Sequence, residues 1–226
     1  MLIKTKLALI MSNKGFTLVE MAIVLVIIGL LVSVFLAPLS AQRDLSEYTK
    51  AKTDLEQIQE ALYGFAMING RLPCPTNQTD PTVAGYGEEA SSCAAPAPEG
   101  YLPWKTLGVR EIESWGVKRT AIADPWIGYW RYRVNANAAV PIRLNSTFPP
   151  TLSMRDSAGN TLTSIAESPL AIVYSTGKNL NPDGQNATVL DGVYQSDVPV
   201  ATFDDITVWI SRTVLMNRMV AAGRLP

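Results

Sequence analysis

Apolar and polar positions change rhythm twice along the chain. Met21 to Gln42 is a run of 22 residues without a charge, and Met21–Val32 within it is apolar throughout except for Gly29. At a rise of about 1.5 Å per residue, 22 helical residues span about 33 Å, enough for the hydrocarbon core of a bilayer. The β-branched residues Ile23, Val24, Val26, Ile27 and Ile28 would make poor helix in water. In lipid the backbone must satisfy its own hydrogen bonds, so helix is the expected form. A buried strand of this length is excluded by the shortness of ordinary strands. From Tyr48 the rhythm changes. Tyr48, Ala51, Leu55, Ile58, Leu62 and Phe65 recur in steps of three and four, with Glu47, Lys50, Lys52, Asp54, Glu56 and Glu60 assigned to the outer surface. Asn69-Gly70 followed by Pro73 marks the stop. The pattern predicts one helix over residues 16–69, about 81 Å long and loosened near Pro38. Its amphipathic half holds only about three heptads, too few for a free-standing coiled coil.

Beyond residue 70 the period drops to two. In Tyr129–Val134 the residues Trp130, Tyr132 and Val134 alternate with Arg131 and Arg133; Leu170–Ser175 and Ile206–Ser211 are further strand candidates. Asn135–Leu144 reads as a short edge strand limited by Pro141. Arg212–Ala222 reads as a closing helix with Gly223 as its stop. Strands grouped after one long helix predict an α+β fold, with that helix packed on an antiparallel β-sheet head. The expected organisation is a leader at 1–15, a transmembrane and assembly helix at 16–37, its amphipathic continuation at 38–69, and a globular head at 70–226.

Composition narrows the chemistry. The chain has 226 residues, 47% of them hydrophobic and 17% charged, with 19 Lys and Arg against 20 Asp and Glu. The formal charge of −1 gives nucleic-acid binding no electrostatic support. Histidine is absent, which excludes Ser-His-Asp and Cys-His catalysis and every imidazole metal ligand.

The first 15 residues carry Lys4, Lys6 and Lys14 and no acid, which predicts a cytoplasmic N-terminus and an exported remainder. The segment then continues Gly15-Phe16-Thr17-Leu18-Val19-Glu20 into the apolar run. In Lys14-Gly15, in Phe16-Thr17-Leu18-Val19-Glu20 and in the apolar helix that follows, the chain resembles the type IV prepilins and the pseudopilins of type II secretion systems. Phe203-Asp204-Asp205-Ile206 and the last five residues are similar to the ends of some pilin-like proteins. The resemblance implies cleavage after Gly15 by a prepilin peptidase on the cytoplasmic face and N-methylation of Phe16. It further implies an assembly charge pair between Glu20 and the amine of Phe16 on an adjacent subunit, other pilin or pseudopilin subunits as partners, an inner-membrane assembly platform and a cytoplasmic motor ATPase. The expected location is the inner membrane, spanned once with the head periplasmic, and then a pilus or pseudopilus fibre. Glu20 stands out physically as well, since a carboxylate at the edge of a membrane helix needs a partner. A cleaved Phe16 would place an amine four residues before it, on the same helix face.

Cys74 and Cys93 are the only cysteines. On the exported side of a membrane they are expected to form a structural disulfide, not a redox pair with CxxC spacing. Asn179-Leu180-Asn181-Pro182-Asp183-Gly184 resembles the opening of a calcium loop, but Leu190 stands where a bidentate Glu would close it. No cofactor is required; Asn179, Asn181, Asp183 and Asp191 are the candidate calcium ligands, with Asp197, Asp204 and Asp205 as further oxygen donors. An ordinary turn cluster is the alternative. Ser175-Thr176-Gly177-Lys178 lacks the first glycine and last hydroxyl of a phosphate loop, with Ile172 and Asn179 in those places. Trp104, Trp115 and Trp126 read as packed loop anchors, with a sugar-binding or partner-binding surface as the alternative.

The leading expectation is therefore a pilin-like structural subunit and not an enzyme, a minor or tip subunit given its large head. The alternative is a membrane-tethered adhesive or binding domain that never polymerises. A secreted enzyme behind a signal peptide would begin near residue 40. Mass spectrometry of the isolated protein should find an N-terminus at methylated Phe16; an intact leader, or a start beyond the apolar run, rejects the pilin-like processing.

Overall fold

The computed structural model describes residues 15–93, 99–188 and 191–225, and for residues 34–41 only the helical backbone. The lysines of the expected leader and Leu190 lie outside the described residues; at Pro38, where loosening was expected, the backbone stays helical. The chain divides at Leu45–Ser46 into two compact units. The first contains the start of helix α1 (Leu18–Asn69), whose apolar residues here have no covering layer: Leu18 is 87% exposed. Among the described residues no helix is long and apolar enough to cross a membrane.

The second unit holds the rest of α1 and the head. Of the predicted seam, Ala51, Leu55, Ile58 and Leu62 are fully buried and Tyr48 packs partly buried against the same core. Two details differ from the sequence reading. Phe65 is only half-buried, lying under the Arg71 guanidinium at 5.5 Å, and Ala66 takes its place in the seam. Asp54 is buried rather than outward, because the Arg110 guanidinium pairs with it at 2.8 Å. The helix ends as expected: Gly70, at φ +72°, donates its N–H to Ala66 O at 2.8 Å.

The seam packs on a four-stranded antiparallel sheet of order β1-β2-β4-β6, formed by β1 (Gly100–Tyr101), β2 (Arg131–Val134), β4 (Ala171–Ser175) and β6 (Ile206–Ile210). All five residues of β4 are buried, and its alternation assigns each to a layer. Ala171 and Val173 face the core under α1, with Tyr132, Val134, Ile206 and Ile210. Ile172 and Tyr174 face a second, smaller core with Leu152, Met154 and Tyr194. That second layer rests on a parallel pair, β3 (Ser153–Arg155) with β5 (Val193–Gln195). The parallel pair was not expected, because three-residue strands leave almost no periodicity to read.

The segment Asn135–Leu144 is not an edge strand. The Asn135 side chain accepts the Asn137 N–H at 3.0 Å and starts a 3-10 turn over Ala136–Ala138, a local bond that competes with strand pairing. The closing helix forms as α2 (Arg212–Ala221), and Arg218 grips Glu60 of α1 with two bonds of 2.6 and 2.9 Å. Cys74 and Cys93 are disulfide-bonded. Beside the bond, Arg71 holds Glu89 through two 2.8 Å contacts, and Glu89 also accepts the Cys74 N–H.

Leu55 sits in the middle of the seam with no exposed surface. Leu55→Ala should therefore destabilise the head by about 2–5 kcal/mol, measured as a lower urea midpoint with an unchanged slope.

Candidate functional site

Gly15 and Phe16 are exposed and non-helical, so the peptide bond between them lies on open backbone just before α1. Thr17 is the N-cap of the helix and Glu20 its third residue. The Thr17 N–H and Oγ1 donate to Glu20 Oε2 at 2.8 and 2.9 Å, and the Glu20 N–H donates back to Thr17 Oγ1 at 3.2 Å. This reciprocal pattern is a capping box. The nitrogen of Phe16 is an amide in the uncleaved chain, so it carries no charge with which Glu20 could pair. Thr17 was read only as part of the junction motif; its capping role was missed, although Thr-x-x-Glu before an apolar run is a legible signal.

A second site gathers acids from two loops. Asp183 precedes the 3-10 turn Gly184–Ala187, and Asp204 and Asp205 immediately precede β6. One carboxylate oxygen from each lies within 4.8 Å of the others. The loops are tied together by backbone donors: the Asp204 N–H to Asp183 Oδ2 at 3.0 Å, the Asp183 N–H to Asp205 Oδ2 at 2.9 Å, and the Asn179 N–H to Asp204 Oδ2 at 3.0 Å. Asp205 is 1% exposed, and its Oδ1, like that of Asp204, is buried without a hydrogen-bond partner among the described residues. Orphaned carboxylate oxygens in a buried cluster are costly alone and suit a hard, oxygen-seeking cation.

Only part of the predicted calcium set converges. Asp183 is in the cluster. Asn179 contacts it, donating its amide to Asp183 Oδ2 at 2.9 Å. Asn181 turns its amide to the Asn179 carbonyl, and Asp191 caps the Val193 N–H at 3.0 Å, so neither joins the trio. Asp197 instead accepts the Ser157 N–H at 2.7 Å. Burial, reinforced by Asp183 and Asp204, pushes Asp205 up to about 7.

Behind the trio lies Glu113, 1% exposed, which no sequence signal distinguished. Ser175 donates its hydroxyl to Glu113 Oε2, and Thr176 Oγ1 donates to Oε1 at 3.2 Å. The two hydroxyls of the apparent phosphate loop therefore serve a carboxylate. Burial first, then Asp205 and Asp204, push Glu113 up to about 8.

Residues 10–36 match the family model described as the prokaryotic N-terminal methylation motif. Over 103 residues the chain is 31% identical to the type II secretion system core protein G of Escherichia coli (strain K12), covering 41% of this chain and 68% of that protein. The chain belongs to the type IV pilin and type II secretion pseudopilin family. It is also 27% identical over 141 residues to core protein G of Aeromonas hydrophila, covering 54% of this chain and 94% of that protein. With core protein G of Klebsiella michiganensis the identity is 34% over 62 residues, covering 27% of this chain and 44% of that protein. No solved structure matches the chain.

The tryptophans of this pilin-family chain are packing anchors, not a sugar platform. Trp104 is buried against Tyr86 and Tyr129. Trp126 stacks on Tyr101 with centroids 3.9 Å apart, the Arg119 guanidinium sits 4.0 Å from the Trp126 centroid, and that of Arg131 sits 4.7 Å from the Tyr101 centroid. Each ring of the stacked pair thus has the other ring and a guanidinium close to its centroid, and Trp126 also meets Tyr86, Trp104 and Tyr129, so both rings are engaged in packing.

The raised Glu113 has a consequence for stability. Between the ordinary glutamate value of 4.5 and about 8, the folded pilin-family head keeps a proton that the unfolded chain has released. Stability in a chelator should therefore fall as pH rises through that window. Urea midpoints compared at about pH 5 and about pH 8 should show the fall. Glu113→Gln should reduce it without abolishing it, because Asp205 titrates in the same range.

Proposed function

We propose that this chain is a subunit of a type II secretion pseudopilus, trimmed after Gly15 by a prepilin peptidase and N-methylated on Phe16. The observation that carries the reading is the junction. An exposed Gly15–Phe16 bond stands one residue before a capping box whose acid begins an apolar helix. Removing a leader with three lysines and no acid takes the formal charge from −1 to −4 and frees the Phe16 amine.

In this reading the apolar start of α1 lies in the inner membrane, with the N-terminus cytoplasmic and the head periplasmic. Its uncovered side chains, Leu18 at 87% exposure among them, then exchange lipid for the same segments of neighbouring subunits. Helices already in lipid gain little hydrophobic energy by that exchange. A specific polar contact is therefore needed to set the register, and Glu20 supplies it by pairing with the Phe16 amine of the adjacent subunit. An inner-membrane platform is the implied partner. Because 54% of the chain accounts for 94% of the Aeromonas protein, the chain carries material beyond that relative, which favours a minor or tip position.

We further propose that Asp183, Asp204 and Asp205 hold a calcium ion. It would supply the positive charge that their buried oxygens lack and pin the loop after β4 to the start of β6.

Replacing Glu20 by Leu tests the assembly reading. The Glu20→Leu protein should be inserted and processed like the wild type yet be absent from sheared fibres. Normal incorporation would remove Glu20 from the mechanism and favour a tethered domain that does not polymerise.

A further inference from the structure

We propose that Glu113 is the positioning residue of the cation site, acting through Ser175 and Gly177 without touching the ion. The inference rests on the reading of Asp183, Asp204 and Asp205 as that site.

The connection is one chain of contacts. A hydroxyl has a single proton, and Ser175 gives it to Glu113 Oε2. The Ser175 hydroxyl oxygen itself accepts the Gly177 N–H at 3.0 Å. Both bonds exist together only while position 113 offers an acceptor that fixes the hydroxyl's direction. Gly177, at φ +63°, forms the wall against which Asp204 rests: a Cβ there would lie 2.4 Å from Asp204 Oδ1. Asp204 then donates its N–H to Asp183 Oδ2 and accepts that of Asn179, and Asp183 donates to Asp205. The orphaned Oδ1 of Asp204 is thus the atom that rests on the Gly177 wall, and that of Asp205 lies one step further along the relay.

Glu113 is anchored from the opposite side. Its N–H donates to Gly128 O at 2.9 Å, and its carbonyl accepts the Gly116 N–H at 3.0 Å. Two glycines make room for it: a Cβ on Gly128 would lie 2.2 Å from Gly116 Cα and 3.1 Å from Glu113 Cγ. The loop before β2 thus delivers a fixed acceptor to the end of β4, and through it a fixed wall to the acid trio. Partners that orient metal ligands from behind typically change affinity by about 10–100-fold when removed.

Calorimetric titration of the detergent-solubilised full chain with calcium chloride tests this, with near-UV circular dichroism to confirm folding. Glu113→Gln keeps an acceptor oxygen for Ser175, Glu113→Leu removes it, and Ser175→Ala removes the link itself. Glu113→Gln should stay within about threefold of the wild-type affinity, while Glu113→Leu and Ser175→Ala should each bind at least about tenfold more weakly. If Glu113→Leu does not fold, Ser175→Ala decides alone. Wild-type affinity in the variants that lose the link overturns the relay and leaves the cation reading standing. A Glu113→Gln loss as large as that of Glu113→Leu also overturns it. A wild-type chain that takes up no calcium overturns both.

Discussion

One helix has to satisfy two different environments, and the rest of the fold follows from that constraint. From Leu18 to Val32 every apolar residue of α1 is exposed; after Ser46 the helix buries a stripe of Ala51, Leu55, Ile58, Leu62 and Ala66 against the head. A helix apolar all round needs lipid or other helices, whereas a striped one needs a single packing surface. The sheet supplies that surface. β4 sits at its centre with no exposed residue, so it must be covered on both faces, and the β3–β5 pair with Tyr194 and Met154 provides the second cover. Two cores on one strand explain how a head of this size stays ordered around short strands.

What could be read from the sequence divides along the range of the interactions. The seam of α1, the stop at Gly70, the three longer strands and the closing helix were all legible, because each is written in local periodicity or a local stop signal. The disulfide was expected from two cysteines placed beyond a segment that reads as an export signal, and it is present. The two- and three-residue strands were not legible, since their pairing is decided by partners many residues away. Asp54 misled for the same reason: its face is set by Arg110, 56 residues later. At Asn135 a side-chain bond to the backbone replaced the expected strand.

The acidic site shows the same division more sharply. Asn179, Asn181 and Asp183 lie in a motif-like order, yet only Asp183 joins the trio, and its companions come from the loop before β6. An alternating run of oxygen-bearing residues is also what a tight turn requires. Asn181 bonds within that turn, and Asn179 divides its bonds between the turn and the acids. Glu113 was invisible because its meaning depends on Ser175, 62 residues away. The junction at Gly15, by contrast, is contiguous, and every element of it lies within six residues of sequence.

The segment between Cys74 and Cys93 is fastened by two kinds of chemistry at nearly the same place. Glu89, four residues before the second cysteine, grips Arg71 with both oxygens and also takes the Cys74 amide. A reductant opens the covalent clasp but not the ionic one; strong acid or high salt weakens the ionic clasp but not the covalent one. Each fastening is therefore insurance for the other, and the segment springs free only under conditions that defeat both at once.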